Sequence, residues 1–177
     1  MKLAVIGKGV VGKSSLTYRF INYKLPQGHD PTIEDRYKTT STINNQLYSI
    51  EILDTAGEDD YQNMMDMWIN FGEGFLLVFA LNDKESFNLL RSKRERILKG
   101  KHGQPTPMIL VGNKQDLKDR QVKFEEAKQL ADLWGIEYIE TSAKTNHNCK
   151  EAFEKIAAKV SASRVQPKSG GCPCNIF

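Results

Sequence analysis

The chain has 177 residues, 40% of them hydrophobic and 27% charged, with a net charge of +3. That is enough for one domain with a full core and a short tail. So small a charge, with no basic stripe interleaved with aromatics, gives no case for nucleic acid, and no apolar run reaches membrane-spanning length. Cys149, Cys172 and Cys174 form neither a disulfide framework nor a zinc pattern, and fit a reducing cytosol. No secretory leader is expected, because the apolar run after Lys2 breaks at Gly7.

The run Leu3-Ala4-Val5-Ile6 predicts a first strand. Gly7-Lys8-Gly9-Val10-Val11-Gly12-Lys13-Ser14 follows, and residues 15–21 are amphipathic. Strand, glycine-rich loop and helix form the context in which G-x-x-x-x-G-K-[ST] binds phosphate. Glycines let the backbone wrap an anion, and the helix adds the positive end of its dipole. Lys13 reaches outer phosphates, and the Ser14 hydroxyl suits Mg²⁺. The plainer alternative is a strand-to-helix turn with a solvated lysine.

Residues 26–35, polar and with two prolines, predict a long loop. Residues 37–43 alternate as an exposed strand, Asn44-Asn45 is a two-residue hairpin turn, and 47–53 returns with Tyr48, Ile50 and Ile52 on one face. Residues 74–80 and 108–111 are continuous apolar runs, as in buried parallel strands, and 137–140 is a short last one. Helical stripes lie between them. Phe87, Leu90, Ile97 and Leu98 follow an expected capping box of Asn82 with Glu85. Ala127, Leu130, Ala131 and Trp134 form the next stripe. Ala152, Phe153, Ile156, Ala157 and Val160 follow an expected cap of Asn148 with Glu151. The fold class is therefore α/β: a doubly wound, six-stranded, mostly parallel sheet with one antiparallel edge strand and helices on both faces, the P-loop NTPase architecture. Ligands of such sheets bind at the carboxyl ends of the strands.

Three strand ends carry polar motifs. Asp54-Thr55-Ala56-Gly57 offers a carboxylate for Mg²⁺ and a bare backbone N–H for a terminal phosphate. Gly112-Asn113-Lys114-Gln115-Asp116 and Thr141-Ser142-Ala143-Lys144 end two others. Each alone is no more than a capped turn; together, in this order, they specify a nucleotide site. Asp116 accepts both the ring N–H and the exocyclic amine of guanine, whereas adenine would set a lone pair against it. The stems of Lys114 and Lys144 can lie along the base. GTP is expected over ATP.

On these residues the chain resembles the Ras family of small GTPases from residue 2 to about 163, with all of the family's guanine-nucleotide motifs in order. The resemblance implies a monomeric switch that binds GDP or GTP with Mg²⁺ and hydrolyses GTP slowly. Nucleotide contacts are implied for Gly9, Val10, Val11, Gly12, Lys13, Ser14, Ser15, Leu25, His29, Pro31, Thr32, Gly57, Asn113, Lys114, Asp116, Leu117, Ser142, Ala143 and Lys144. Metal ligation is implied for Ser14, Thr32 and Asp54, and catalysis for Glu58, Gly57, Lys13 and Thr32. Thr32, Ile33, Glu34, Asp35, Arg36 and Tyr37 are similar to the effector segment, with Arg36 where Ras has serine. Effector proteins, an exchange factor and an activating protein follow as partners. The exposed strand 37–43 is then a docking edge; its plainer role is a charged edge that blocks aggregation. Residues 57–68 resemble the second switch segment, with Tyr61, Met64, Met67 and Trp68 as its large apolar groups.

The chain departs from the family at four positions. Glu58 stands where most relatives carry the glutamine that positions the attacking water. Val10 replaces a glycine of the phosphate loop, and since β-branched residues avoid positive φ, a different loop shape is expected. Leu25 replaces the aromatic that stacks on the base, and His29 the tyrosine over the phosphates. Glu58 leaves open a GTP-binding interaction module with little hydrolysis. A P-loop kinase for a small metabolite is a further alternative, which Asp116 argues against.

Residues 1–163 are expected to form the GTPase domain and 164–177 a flexible tail. The tail ends Cys172-Pro173-Cys174-Asn175-Ile176-Phe177, a C-a-a-X pattern that is loose at Asn175. Phe177 favours geranylgeranylation of Cys174, and Cys172 suits a second, palmitoyl chain, with Arg164 and Lys168 as a thin basic patch. The expected location is the cytoplasmic face of a membrane, the plasma membrane first. The plainer alternative is a disordered end with two chance cysteines.

Overall fold

The computed structural model describes residues 1–22, 34–55, 57 and 64–165. Its elements run β1 (Lys2–Gly7), α1 (Lys13–Asn22), β2 (Glu34–Ile43), β3 (Gln46–Thr55), α2 (Met65–Phe71), β4 (Gly74–Ala80), α3 (Lys84–Gly100), β5 (Met108–Asn113), α4 (Phe124–Trp134), β6 (Glu137–Glu140) and α5 (Cys149–Val165). The six strands lie in the order β2-β3-β1-β4-β5-β6. All neighbours are parallel except β2 with β3. This is the expected P-loop NTPase sheet.

Its central strands are apolar without alternation because both faces are covered; every residue of β4 and β5 is buried. One face packs Leu3, Val5, Leu76, Val78 and Val111 against Leu16 and Phe20 of α1 and Phe153, Ile156 and Val160 of α5. The other packs Ile6, Phe75, Leu77, Phe79 and Leu110 against Trp68 of α2, Phe87, Leu90 and Ile97 of α3, and Leu130 of α4. The hairpin turns at Asn44 and Asn45, at φ 49° and 63°, as a mirror-image two-residue turn requires.

Several boundaries differ from expectation. β2 starts at Glu34, because its register with β3 runs on to Thr55. The cap of α3 is Asp83, not Asn82: its carboxylate accepts from the Ser86 N–H at 3.0 Å. Asn148, at φ 53°, spends its amide on the Glu140 carbonyl, and Glu151 pairs with Lys155. Asn148 thus ties the start of α5 to β6, Glu151 pairs within α5, and the two do not form a capping box. α5 carries on through Arg164, which pairs with Glu73 at 2.6 Å, so the helix extends past residue 163.

Candidate functional site

Four polar segments meet at the carboxyl ends of the strands: the β1–α1 loop, the end of β3, the end of β5 and the turn after β6. α1 starts at Lys13, so the loop residues 8–12 lead straight into a helix N-terminus. Gly12, at φ 95°, leaves room that a Cβ would fill 2.4 Å from the Asn113 amide. Val10 takes φ 63° and is 77% exposed. The expectation of a different loop shape is therefore corrected: the valine accepts the left-handed geometry, at a strain of about 1–2 kcal/mol. Lys8 holds the loop from outside through Asp83 and Glu85 at the start of α3.

Lys13 is buried, and its amine donates to the Lys8 carbonyl at 3.0 Å. Burial pushes its pKa down to about 8, against the pull of Asp54. Asp54 is fully buried at the end of β3, and neither carboxylate oxygen has a hydrogen-bond partner of good geometry. Burial pushes its pKa up to about 6, while the Ser14 hydroxyl and the Lys13 charge favour the ionised form. The hydroxyl thus stands close without satisfying the carboxylate. An orphaned buried carboxylate beside a hydroxyl is an oxygen-donor set that fits a hard divalent cation.

Asn113 joins the two halves of the site. Its amide donates to the Val11 carbonyl at 2.9 Å, and its carbonyl accepts from Thr141 Oγ at 3.2 Å and the Ala143 N–H at 3.3 Å. Ser142 Oγ donates to Asp116 at 2.7 Å and orients that carboxylate. Arg19 of α1 bonds the carbonyls of Ala143 and Lys144 at 2.6 and 3.0 Å, a support that no motif announced. Lys114 takes φ 67°, and Leu117 stands partly exposed beside it. Gly57 meets the phosphate loop directly: its carbonyl accepts from the Gly9 N–H at 2.9 Å, and a Cβ there would lie 2.2 Å from that nitrogen.

The model of the Ras family matches residues 2–162. The chain is also 46% identical over 160 residues to Protein ras-1 of Neurospora crassa, covering 90% of this chain and 75% of that protein.

The chain belongs to the Ras family. It is a guanine-nucleotide-binding switch and a GTP hydrolase, with regulators and effectors as partners in the general manner of Ras GTPases.

At the start of β2, Glu34 is held twice, by Arg36 at 2.9 Å and by the Trp68 indole N–H at 2.9 Å. The second bond ties β2 to α2, so Trp68 is a packed link between these two elements. Tyr37 turns to the other face, its ring edge-on to Tyr18 at 5.6 Å. Leu25, His29, Pro31, Thr32, Ile33, Glu58, Tyr61, Cys172 and Cys174 lie outside the described residues. Among the described residues no helix is long and apolar enough to cross a membrane.

Proposed function

We propose that this Ras-family GTPase is a Mg²⁺-dependent switch whose nucleotide lies along the line from Asp54 to Asp116. The observation that carries this is the buried, unpartnered Asp54 carboxylate beside Ser14 and Lys13. Ser14, Asp54 and Thr32 would hold the metal, which when bound supplies positive charge against the phosphate oxygens. Lys13 releases the Lys8 carbonyl and turns to the β- and γ-phosphates. Residues 9–15 cradle the phosphates, Asp116 with Ser142, Ala143 and Lys144 reads the guanine, and Lys114 and Leu117 flank it. Leu25, His29 and Pro31 are proposed to line the same site. Gly57 gives an N–H to the γ-phosphate, and Thr32 senses its loss. Glu58 accepts a hydrogen bond from the attacking water but has no proton to return. Its charge would also oppose that of the γ-phosphate; a pair of like unit charges about 4 Å apart costs on the order of 4 kcal/mol at intermediate dielectric. A useful rate then depends on an activating protein.

Thermal shift with GDP, GTP and ATP, with and without Mg²⁺, tests this. Stabilisation by GDP and GTP that grows with Mg²⁺, and none by ATP, is expected; equal stabilisation by ATP contradicts it. Glu58 also favours a second reading, a GTP-binding module with little hydrolysis. Single-turnover hydrolysis by the parent chain and by Glu58→Ala separates the two.

We further propose that the domain, read from the sequence as residues 1–163, includes the end of α5 at Val165, and that the segment beyond it is a lipidated tether, prenylated at Cys174 with Cys172 as a palmitoylation site. That would place the domain on the cytoplasmic face of the plasma membrane. Release of Cys174→Ser to the soluble fraction is expected; unchanged membrane fractionation contradicts it. The GTP-state partner is proposed to meet residues 32–37 and the β2 edge.

A further inference from the structure

Lys8 stands in the phosphate loop, between the end of β1 at Gly7 and the start of α1 at Lys13. Its amine reaches across to the start of α3, where it pairs with the Asp83 carboxylate at 3.4 Å and with that of Glu85. The bond to Glu85 holds the Lys8 amine above the ordinary lysine range, so it stays charged through neutral pH. Asp83 is a fixed post. Its N–H donates to the Ala80 carbonyl at 2.9 Å, its carboxylate accepts from the Ser86 N–H at 3.0 Å, and its carbonyl accepts from the Ser86 hydroxyl at 2.7 Å. Ser86 is buried, and its hydroxyl accepts in turn from the Ala80 N–H at 3.1 Å, on the end of β4.

The backbone of Lys8 belongs to the site itself. Its carbonyl accepts from the Lys13 amine at 3.0 Å, and the next residue, Gly9, donates its N–H to the Gly57 carbonyl at 2.9 Å. A Cβ on Gly57 would lie 2.5 Å from the Lys8 carbonyl carbon. The stretch from Lys8 to Gly9 is thus fastened both to α3, through a side chain, and to Gly57, through the main chain.

We propose that Lys8 is a positioning residue for nucleotide retention: its pairs with Asp83 and Glu85 tether the phosphate loop to α3 and slow the release of a bound nucleoside diphosphate. A loop already held in its bound shape has less freedom to lose, so the tether lowers the cost of ordering the cradle. Side-chain exposure is 32% at Lys8, 33% at Asp83 and 70% at Glu85, so salt screens the pairs and release quickens as salt rises. The rival role for Lys8 is a direct pull of its charge on the phosphates. The two differ in sign when the acids are removed. A freed lysine holds the phosphates more tightly, whereas a lost tether holds them less. The proposal rests on the reading of residues 9–15 as the phosphate cradle.

The test follows displacement of a fluorescent GDP from the full chain by excess GDP, with Mg²⁺, over a series of NaCl concentrations. Lys8→Met and the double variant Asp83→Asn with Glu85→Gln are compared with the parent; asparagine keeps an acceptor for the Ser86 N–H. Each is expected to release GDP about two- to fivefold faster at low salt, the range of exposed ion pairs, and to show a flatter salt dependence. The triple variant should be no faster than either, and Lys8→Arg, which keeps the charge, should release GDP as the parent does. Slower release from the acid-deleted variant overturns the tether in favour of the direct pull. Parent-like rate and salt dependence in Lys8→Met, or effects that multiply in the triple variant, also overturn it. A parent that retains no GDP overturns the cradle reading, and the tether with it.

Discussion

The Asn113 amide donates to the Val11 carbonyl at 2.9 Å across 102 positions of sequence, and so fixes the phosphate loop to the base loop. Its own carbonyl is filled by Thr141 and Ala143. Asn113→Ala would leave a buried carbonyl, a hydroxyl and an N–H without partners. Each such loss costs roughly 1–3 kcal/mol, reduced where the site relaxes. The variant is expected to lose about 2 kcal/mol or more in urea unfolding and to release GDP faster. Stability and release rate equal to the parent's would contradict the bracket.

Val10 holds φ 63° at 77% exposure, so its branched side chain gains little from packing there. Val10→Gly removes about 1–2 kcal/mol of strain but gives the unfolded chain more freedom. A net gain of about 1 kcal/mol is expected in urea unfolding of the nucleotide-free protein. A loss of stability would show that the valine is not strained.

Trp68 links α2 to β2 through Glu34. Trp68→Phe keeps an aromatic in the core and deletes the bond to a carboxylate, worth roughly 1.5–3 kcal/mol. Unfolding should shift by that order, and proteolysis should reach the start of β2 sooner. If neither changes, the two segments are not coupled through this pair.

The sheet was legible from the sequence because its central strands are buried on both sides and carry almost no polar residue. The site motifs were legible because the ligand chemistry demands them at strand ends. What was not legible depended on geometry between distant segments. Asn113 reads as one letter of a base motif, yet its bond to Val11 exists only once β1 and β5 stand two strands apart. Asn82 and Asp83 are both good caps, and only the helix start decides between them. The first residues of β2 are charged and do not alternate, so pairing with β3, not pattern, makes them strand. At Val10 the loop geometry overrode the residue's own preference.

Cys149 is buried, and its thiol donates to the Ser142 carbonyl at 3.3 Å. Burial pushes its pKa up to about 11, against the pull of Arg19. The neutral thiol is the form the fold favours. Its contribution to stability is therefore complete below the ordinary value of 9.0 and is lost as pH rises through about 11. At pH near 8, iodoacetamide should label Cys149 only after unfolding. Labelling of the folded chain at the rate of an unfolded one would contradict this environment.

Asp116, oriented by Ser142 at 2.7 Å, is the group we propose sets base choice. Asp116→Asn replaces an acceptor by a donor and leaves at least one guanine donor unmatched, at roughly 1–3 kcal/mol or more. Xanthine offers a carbonyl to the new amide. The deciding measurement is competition between GDP and xanthosine diphosphate for the parent chain and for Asp116→Asn, with Mg²⁺. The account predicts that the parent prefers GDP and that the variant reverses the preference. A variant that binds GDP as the parent does, and still rejects xanthosine diphosphate, would contradict it.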